Sequence, residues 1–226
     1  MMKAMILAAG KGERMRPLTL STPKPLLQVG VRPLLEHHIL NLRDAGVTDI
    51  VVNAAWLAEQ IVDFCGDGSR WGVRIQVSRE EVPLETAGGI IQALPLLGDS
   101  PFLLVNGDIY CPYPFKELLS VDPPVGGAHL VLVDNPEHNP QGDFSLEGGQ
   151  VRQPATSVLD SQALTYSGVG VYSPALFAGL DPGKRPLKPL LDQAISQGCL
   201  SGSHWQGAWH DIGTPERLAA INATLT

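Results

Sequence analysis

The chain has 226 residues, 44% of them hydrophobic, and a formal net charge of −7. That length suits one α/β domain with a full core, or a domain plus a small cap. The acidic balance argues against nucleic acid or an anionic membrane as partner, and no run approaches the ~20 apolar residues of a membrane span.

Lys3–Ala8 is a short apolar run and predicts a buried strand. Pro33–Ala45 carries Leu34, Leu35, Ile39, Leu40 and Leu42 at helical spacing, and Gly46 stops it. Asp49–Asn53 reads as a strand, Leu57–Cys65 as a helix, Val73–Ser78 as a strand, and Thr86–Leu97 as a helix with Gly88-Gly89 near its start. Pro101–Val105 is a strand that runs into Asn106-Gly107-Asp108. This alternation predicts a mostly parallel sheet with helices on both faces. Ligands of such sheets bind at the carboxyl ends of the strands. Residues 7–12 and 106–108 both lie at such ends.

The second half is richer in strands. Gly127–Val133 and Thr165–Tyr172 read as strands, and Asp134–Gly142 as a polar turn. Asp143–Leu146 and Gln150–Arg152 form a hairpin across Glu147-Gly148-Gly149. Leu187–Gln197 is an amphipathic helix, and Ser203–His210 leads into Asp211-Ile212-Gly213-Thr214-Pro215. A last helix covers Glu216–Leu225, with Thr214 as its N-cap and Pro215 at its first position. The three cysteines, Cys65, Cys111 and Cys199, are too widely spaced for a zinc site or a disulfide framework. They read as reduced thiols, and with no secretory signal in the sequence the expected compartment is the cytoplasm.

The strongest chemical signal is Ile6-Leu7-Ala8-Ala9-Gly10-Lys11-Gly12-Glu13-Arg14-Met15-Arg16, followed by Pro23-Lys24-Pro25. Small residues let a polyphosphate approach backbone N–H groups, and Lys11, Arg14, Arg16 and Lys24 supply positive charge in an otherwise acidic chain. The loop is not a P-loop, and Gly10-x-Gly12 lacks the third glycine of the dinucleotide fingerprint. Prolines on both sides restrict the backbone around Lys24, as suits one ammonium aimed at a phosphate oxygen. Asp108 and Asp211 then offer two hard oxygen ligands from distant segments. Mg²⁺ takes one or two carboxylates together with substrate phosphates.

Taken in order, these segments resemble the sugar-1-phosphate nucleotidyltransferases, or nucleotide-sugar pyrophosphorylases. Residues 7–15 and Pro23-Lys24-Pro25-Leu26-Leu27 are similar to the family's signature loop and lysine. Glu85-Thr86-Ala87-Gly88-Gly89 resembles its base-side segment, where a glycine is more usual at the Glu85 position. Asn106-Gly107-Asp108 and Trp209-His210-Asp211-Ile212-Gly213-Thr214-Pro215 resemble its two metal motifs. The resemblance implies a Rossmann-like, mostly parallel mixed sheet flanked by helices, with a small β-rich sugar-binding cap. It implies one domain over residues 1–226, with 1–110 serving the nucleotide and 111–226 the sugar.

The resemblance also implies roles. Arg14, Lys24, Asp108 and Asp211 would be catalytic, with Mg²⁺ on the two aspartates. The nucleoside triphosphate, UTP favoured, would be held by Leu7, Ala8, Ala9, Gly10, Lys11, Gly12, Glu13, Arg14, Lys24, Glu80, Thr86 and Gly88. Asn106, Asp143 and Gly168 would contact the sugar 1-phosphate. The segments Leu84-Glu85-Thr86, Val133-Asp134-Asn135-Pro136 and Gly142-Asp143-Phe144 favour N-acetylmuramate 1-phosphate as that sugar, in cell-wall recycling. Mannose 1-phosphate with GTP, or the substrates of another nucleotide-sugar pyrophosphorylase such as a thymidylyl- or cytidylyltransferase, is the alternative, and a non-catalytic nucleotide-sugar-binding regulatory subunit a more remote one. Many relatives carry Glu-Lys-Pro after the hairpin, whose lysine binds the sugar's phosphate. Here the text is Arg152-Gln153-Pro154, which leaves Arg152, Lys184, Arg185 and Lys188 as candidate cations.

Overall fold

A computed structural model describes residues 2–154 and 163–225. Its strands in chain order are β1 (Lys3–Leu7), β2 (Gln28–Val29), β3 (Arg32–Pro33), β4 (Asp49–Ala54), β5 (Arg74–Arg79), β6 (Phe102–Asn106), β7 (Ile109–Tyr110), β8 (Ala128–Val133), β9 (Phe144–Glu147), β10 (Gln150–Arg152), β11 (Ala163–Tyr172), β12 (Leu200–Trp205) and β13 (His210–Asp211). The α-helices are α1 (Leu34–Ala45), α2 (Ala58–Cys65), α3 (Glu85–Leu97), α4 (Lys188–Ser196) and α5 (Pro215–Thr224).

One mixed sheet runs β5-β4-β1-β6-β11-β8-β12-β10-β9. The first four strands are mutually parallel. Strand β11 then enters antiparallel between β6 and β8. The β-rich half is an extension of this sheet. Strand β9 pairs with β10 and also with the first residues of β11, so β11, β8, β12, β10 and β9 close into a ring.

Side-chain alternation sorts β1, β4 and β6 between the two faces. Ala4, Ile6, Ile50, Val52, Leu103 and Val105 pack with Leu35, Ile39 and Leu42 of α1. Met5, Val51, Phe102 and Leu104 pack with Ala87, Ile90 and Ala93 of α3. A third, smaller core joins the two ends of the chain. In it Met15, Leu27, Val29 and Leu34 meet Ile212, Leu218 and Ile221. That contact brings the segment around Asp211 to the loop that follows β1. Cys65 and Cys111 are buried, and burial pushes both thiols up to about 12, so they are protonated packing groups. Among the described residues, no helix is long and apolar enough to cross a membrane.

Candidate active site

The carboxyl ends of β1, β4, β5 and β6 surround a cleft of about 580 Å³. Leu7, Ala8, Ala9, Gly10, Lys11, Gly12, Glu13, Lys24, Glu80, Thr86, Asn106 and Asp108 all line it. A second hollow of about 600 Å³ adjoins the first and shares Glu85, Thr86 and Asn106 with it. Asp143, Phe144, Tyr166, Leu187, Lys188 and Leu191 complete its walls.

The glycines of the loop serve different ends. Gly10 has open space where a side chain would point, so its backbone is accessible to a ligand. Gly12 sits at φ +59, and a Cβ there would press on Thr19 and on the stem of Lys24. The Thr19 hydroxyl donates to the Gly12 carbonyl at 2.7 Å, which pins the turn. Lys24 opens a short 3₁₀ turn between its two prolines and is 7% exposed. Its Nζ donates to Asp108 Oδ2 at 2.8 Å.

Asp108 and Asp211 come together through the backbone. In the two-stranded ribbon β7–β13, Asp211 stands opposite Ile109, and the Ile212 N–H donates to the Asp108 carbonyl at 2.9 Å. The Asp211 carboxylate accepts from Arg217 on α5 and lies 3.3 Å from His138 Nε2. Thr214 caps α5, its hydroxyl accepting from Arg217 N at 3.4 Å, so the cap fixes the helix that carries this arginine. No cluster of three or more metal-ligating side chains occurs among the described residues. Asp108, which lines the cleft, and Asp211, held next to it through the backbone, are the type of donor a magnesium ion takes when phosphate and water complete its shell.

A buried relay ties the loop after β1 to the loop between β5 and α3 through the end of β4. The Ala8 N–H donates to Asn53 Oδ1 at 2.7 Å, Asn53 Nδ2 donates to Glu80 Oε1 at 2.7 Å, and the Leu84 N–H donates to Glu80 Oε2 at 2.9 Å. Asn53 is 2% and Glu80 5% exposed. Both Glu80 oxygens therefore hold protein groups, and its evident work is to position the loops.

Four of the expected site residues lie off the walls of both hollows. Arg14 is exposed on the 3₁₀ turn Glu13–Met15. Gly88 is buried, its N–H donates to the Arg185 carbonyl at 3.1 Å, and a Cβ there would strike the Gly183 carbonyl. Its smallness serves packing against residues 183–185. Gly168, at φ +85, abuts the Asn106 side chain, which a Cβ would meet at 2.7 Å. It lies at a β-bulge in β11, a common device beside active sites. Asp211 stands behind Arg217 and His138. Sequence reasoning missed Asn53, His138 and Arg217. Asn53 had a signal, a lone amide ending the apolar run Asp49–Asn53, whereas His138 sits in a polar turn with none.

Residues 3–146 match the family described as nucleotidyl transferase. The chain belongs to this family. It is 51% identical to N-acetylmuramate alpha-1-phosphate uridylyltransferase of Neisseria meningitidis serogroup B, over 98% of this chain and 97% of that protein. Identity to mannose-1-phosphate guanyltransferase beta-A of Xenopus laevis is 32%, over 95% of this chain and 62% of that longer protein. In fold it resembles a putative glucose-1-phosphate thymidylyltransferase from Bacillus anthracis, with a TM-score of 0.84, 23% identity, and coverage of 100% of this chain and 95% of that one. The family and its relatives make this chain a sugar-1-phosphate nucleotidyltransferase.

Proposed function

We propose that the chain condenses UTP with N-acetylmuramate 1-phosphate to give a UDP-sugar and pyrophosphate, as a cytoplasmic step in the recycling of cell-wall sugar. The observation that carries this substrate pair is the 51% identity to the Neisseria uridylyltransferase along almost the whole length of both chains.

The sugar phosphate is already an anionic nucleophile, so no covalent enzyme intermediate is needed. One of its oxygens attacks the α-phosphorus of the triphosphate, and the bond to the β-phosphate breaks, releasing pyrophosphate. The obstacle is repulsion, since two unit charges ~4 Å apart interact by roughly 4 kcal/mol at an effective dielectric near 20. A Mg²⁺ ion held by Asp108 and Asp211 would supply charge neutralisation of the phosphate oxygens. In this reading Lys24 adds a fixed cation beside Asp108, and the backbone around Gly10 takes the triphosphate. Asn106, which lines both hollows, guides the sugar from the phosphates into the second hollow, and Thr86 at the same junction holds the nucleotide. Residues 1–110 serve the nucleotide, and residues 111–226 supply most of the sugar side. Of the four candidate sugar-phosphate cations, Lys184 lines the first hollow and Lys188 the second, while Arg152 and Arg185 line neither.

The test is a matrix of sugar 1-phosphates against the common nucleoside triphosphates with Mg²⁺, scored by pyrophosphate release. Preferential use of N-acetylmuramate 1-phosphate with UTP supports the reading. Preference for mannose 1-phosphate with GTP replaces it.

A further inference from the structure

Glu85 begins α3 at φ +60, in the left-handed region that L side chains rarely adopt. Leu57 is the other described residue besides glycine with a positive φ, and it lines neither hollow. Glu85 lines both, at the edge where they meet. Glycine would take this conformation freely, so a glutamate here costs stability. The local return is small. Its carboxylate pairs with Lys184 at 3.2 Å, and both side chains are substantially exposed, at 41% and 68%. An exposed pair of this kind contributes less than left-handed backbone costs. A carboxylate in the first turn of α3 adds a helix-end interaction of similarly small size, so folding repays the strain only in part, and such residues collect at sites where the side chain is used.

The carboxylate can only accept hydrogen bonds, and it repels phosphate. It must face an uncharged part of a substrate, either the nucleobase, beside which the family resemblance sets this segment, or the sugar. Asp108 and Lys24 line the first hollow and not the second, so the phosphates belong beside them and the sugar ring extends past Asn106 into the second hollow, whose wall Glu85 shares with Asp143; that places the sugar, not the base, within its reach. Resting on the functional reading above, we propose that Glu85 is a specificity-determining residue whose carboxylate accepts a hydrogen bond from a hydroxyl or amide N–H of the sugar.

The experiment compares Glu85→Gly, Glu85→Ala and Glu85→Gln with the wild type in thermal melts and in steady-state kinetics. The assay uses whichever sugar 1-phosphate and triphosphate the wild type turns over, so an error in the proposed sugar leaves this inference open to test. Glu85→Gly relieves the backbone and should melt a few degrees higher, roughly 2–4 °C. It should also lose about 10- to 100-fold in kcat/KM for the sugar 1-phosphate, with KM for the triphosphate within twofold. Glu85→Ala keeps the strained backbone, so it should lose the same activity without the gain in melting temperature. Glu85→Gln keeps an acceptor oxygen and should retain more activity than either. A Glu85→Gly variant that melts no higher removes the strain premise and overturns the inference. So does unchanged kcat/KM in Glu85→Ala, and so does a loss confined to the triphosphate KM. A wild type that turns over no sugar 1-phosphate overturns the functional reading and this inference together.

Discussion

Replacing Lys24 by methionine tests the charge at the centre of the first cleft. The side chain is 7% exposed and its Nζ lies 2.8 Å from Asp108 Oδ2. Methionine has a similar length and is apolar, so the stem's packing survives and the ammonium alone is lost. Stability should change little. The Asp108 side chain is 41% exposed, water can solvate the carboxylate left behind, and the lost pair is worth at most about 1 kcal/mol. Catalysis should suffer far more. A preorganised charge donor aimed at developing charge contributes about 2.7–4 kcal/mol, so kcat should fall by roughly 10²–10³. Lys24→Arg should not restore the rate, because the Lys24 side chain is buried and a guanidinium is broader than an ammonium. The assay is pyrophosphate release at saturating substrates, with a thermal melt on the same samples. A rate loss under about fivefold, or one that merely tracks the folded fraction, would refute the argument.

Asp108→Asn should abolish turnover while circular dichroism and the melt stay near wild type, and near-normal activity in that variant would contradict a metal role for the carboxylate. Asn53→Ala breaks the link from Ala8 to Glu80 and leaves two buried groups without partners. It should cost about 1–3 kcal/mol of stability and raise KM for the triphosphate, and an unchanged KM would make the relay purely structural. His38 is buried, and burial together with the neighbouring His37 lowers its pKa from 6.5 to about 4. Above pH 6.5 both folded and unfolded states hold it neutral and the stability is full. As pH falls from 6.5 to 4 only the unfolded state takes up the proton, so this histidine should remove up to about 3 kcal/mol. Melting curves over that range on wild type and His38→Gln check the sign, and an equal acid sensitivity in the variant would discard it.

The legible parts of the sequence were those with a period or a rare residue. Strands β1, β4 and β6 are short apolar runs, and their ends mark the cleft. Helix α3 could be read despite Gly88, Gly89 and Pro95 because apolar residues dominate the rest of it. Strand β12 was read as an approach to Asp211, since Leu-Ser-Gly-Ser-His-Trp offers little apolar alternation. Its backbone pairs with β8 and β10, so the sheet decides what side chains do not. Strands β7 and β13 have two residues each, too few for any pattern. The motif glycines were legible as glycines, but their reasons were not. Gly88 and Gly168 are small because a carbonyl and an amide side chain press on them, and such neighbours come from residues 95 and 62 positions away in the chain.

The separation of the two aspartates also depends on distant parts of the chain. Asp108 lies in the turn just after β6 of the central sheet, whereas Asp211 comes 103 residues later and would be free to drift if only the ribbon β7–β13 held it. Two residues per strand make a marginal ribbon. What fixes Asp211 is burial on either side of it. Ile212 is fully buried in the core formed by Met15, Leu27 and Leu34, and Trp209 Nε1 donates to the Ser167 carbonyl at 2.8 Å, beside the bulge that holds Gly168 against Asn106. The second aspartate is thus bracketed by an apolar anchor on the phosphate loop's own core and a polar anchor on the sugar side. Helix α5 adds Leu218 and Ile221 to that core and supplies Arg217 to the carboxylate, so under the proposed metal role the last helix of the chain supports the same site as the first loop.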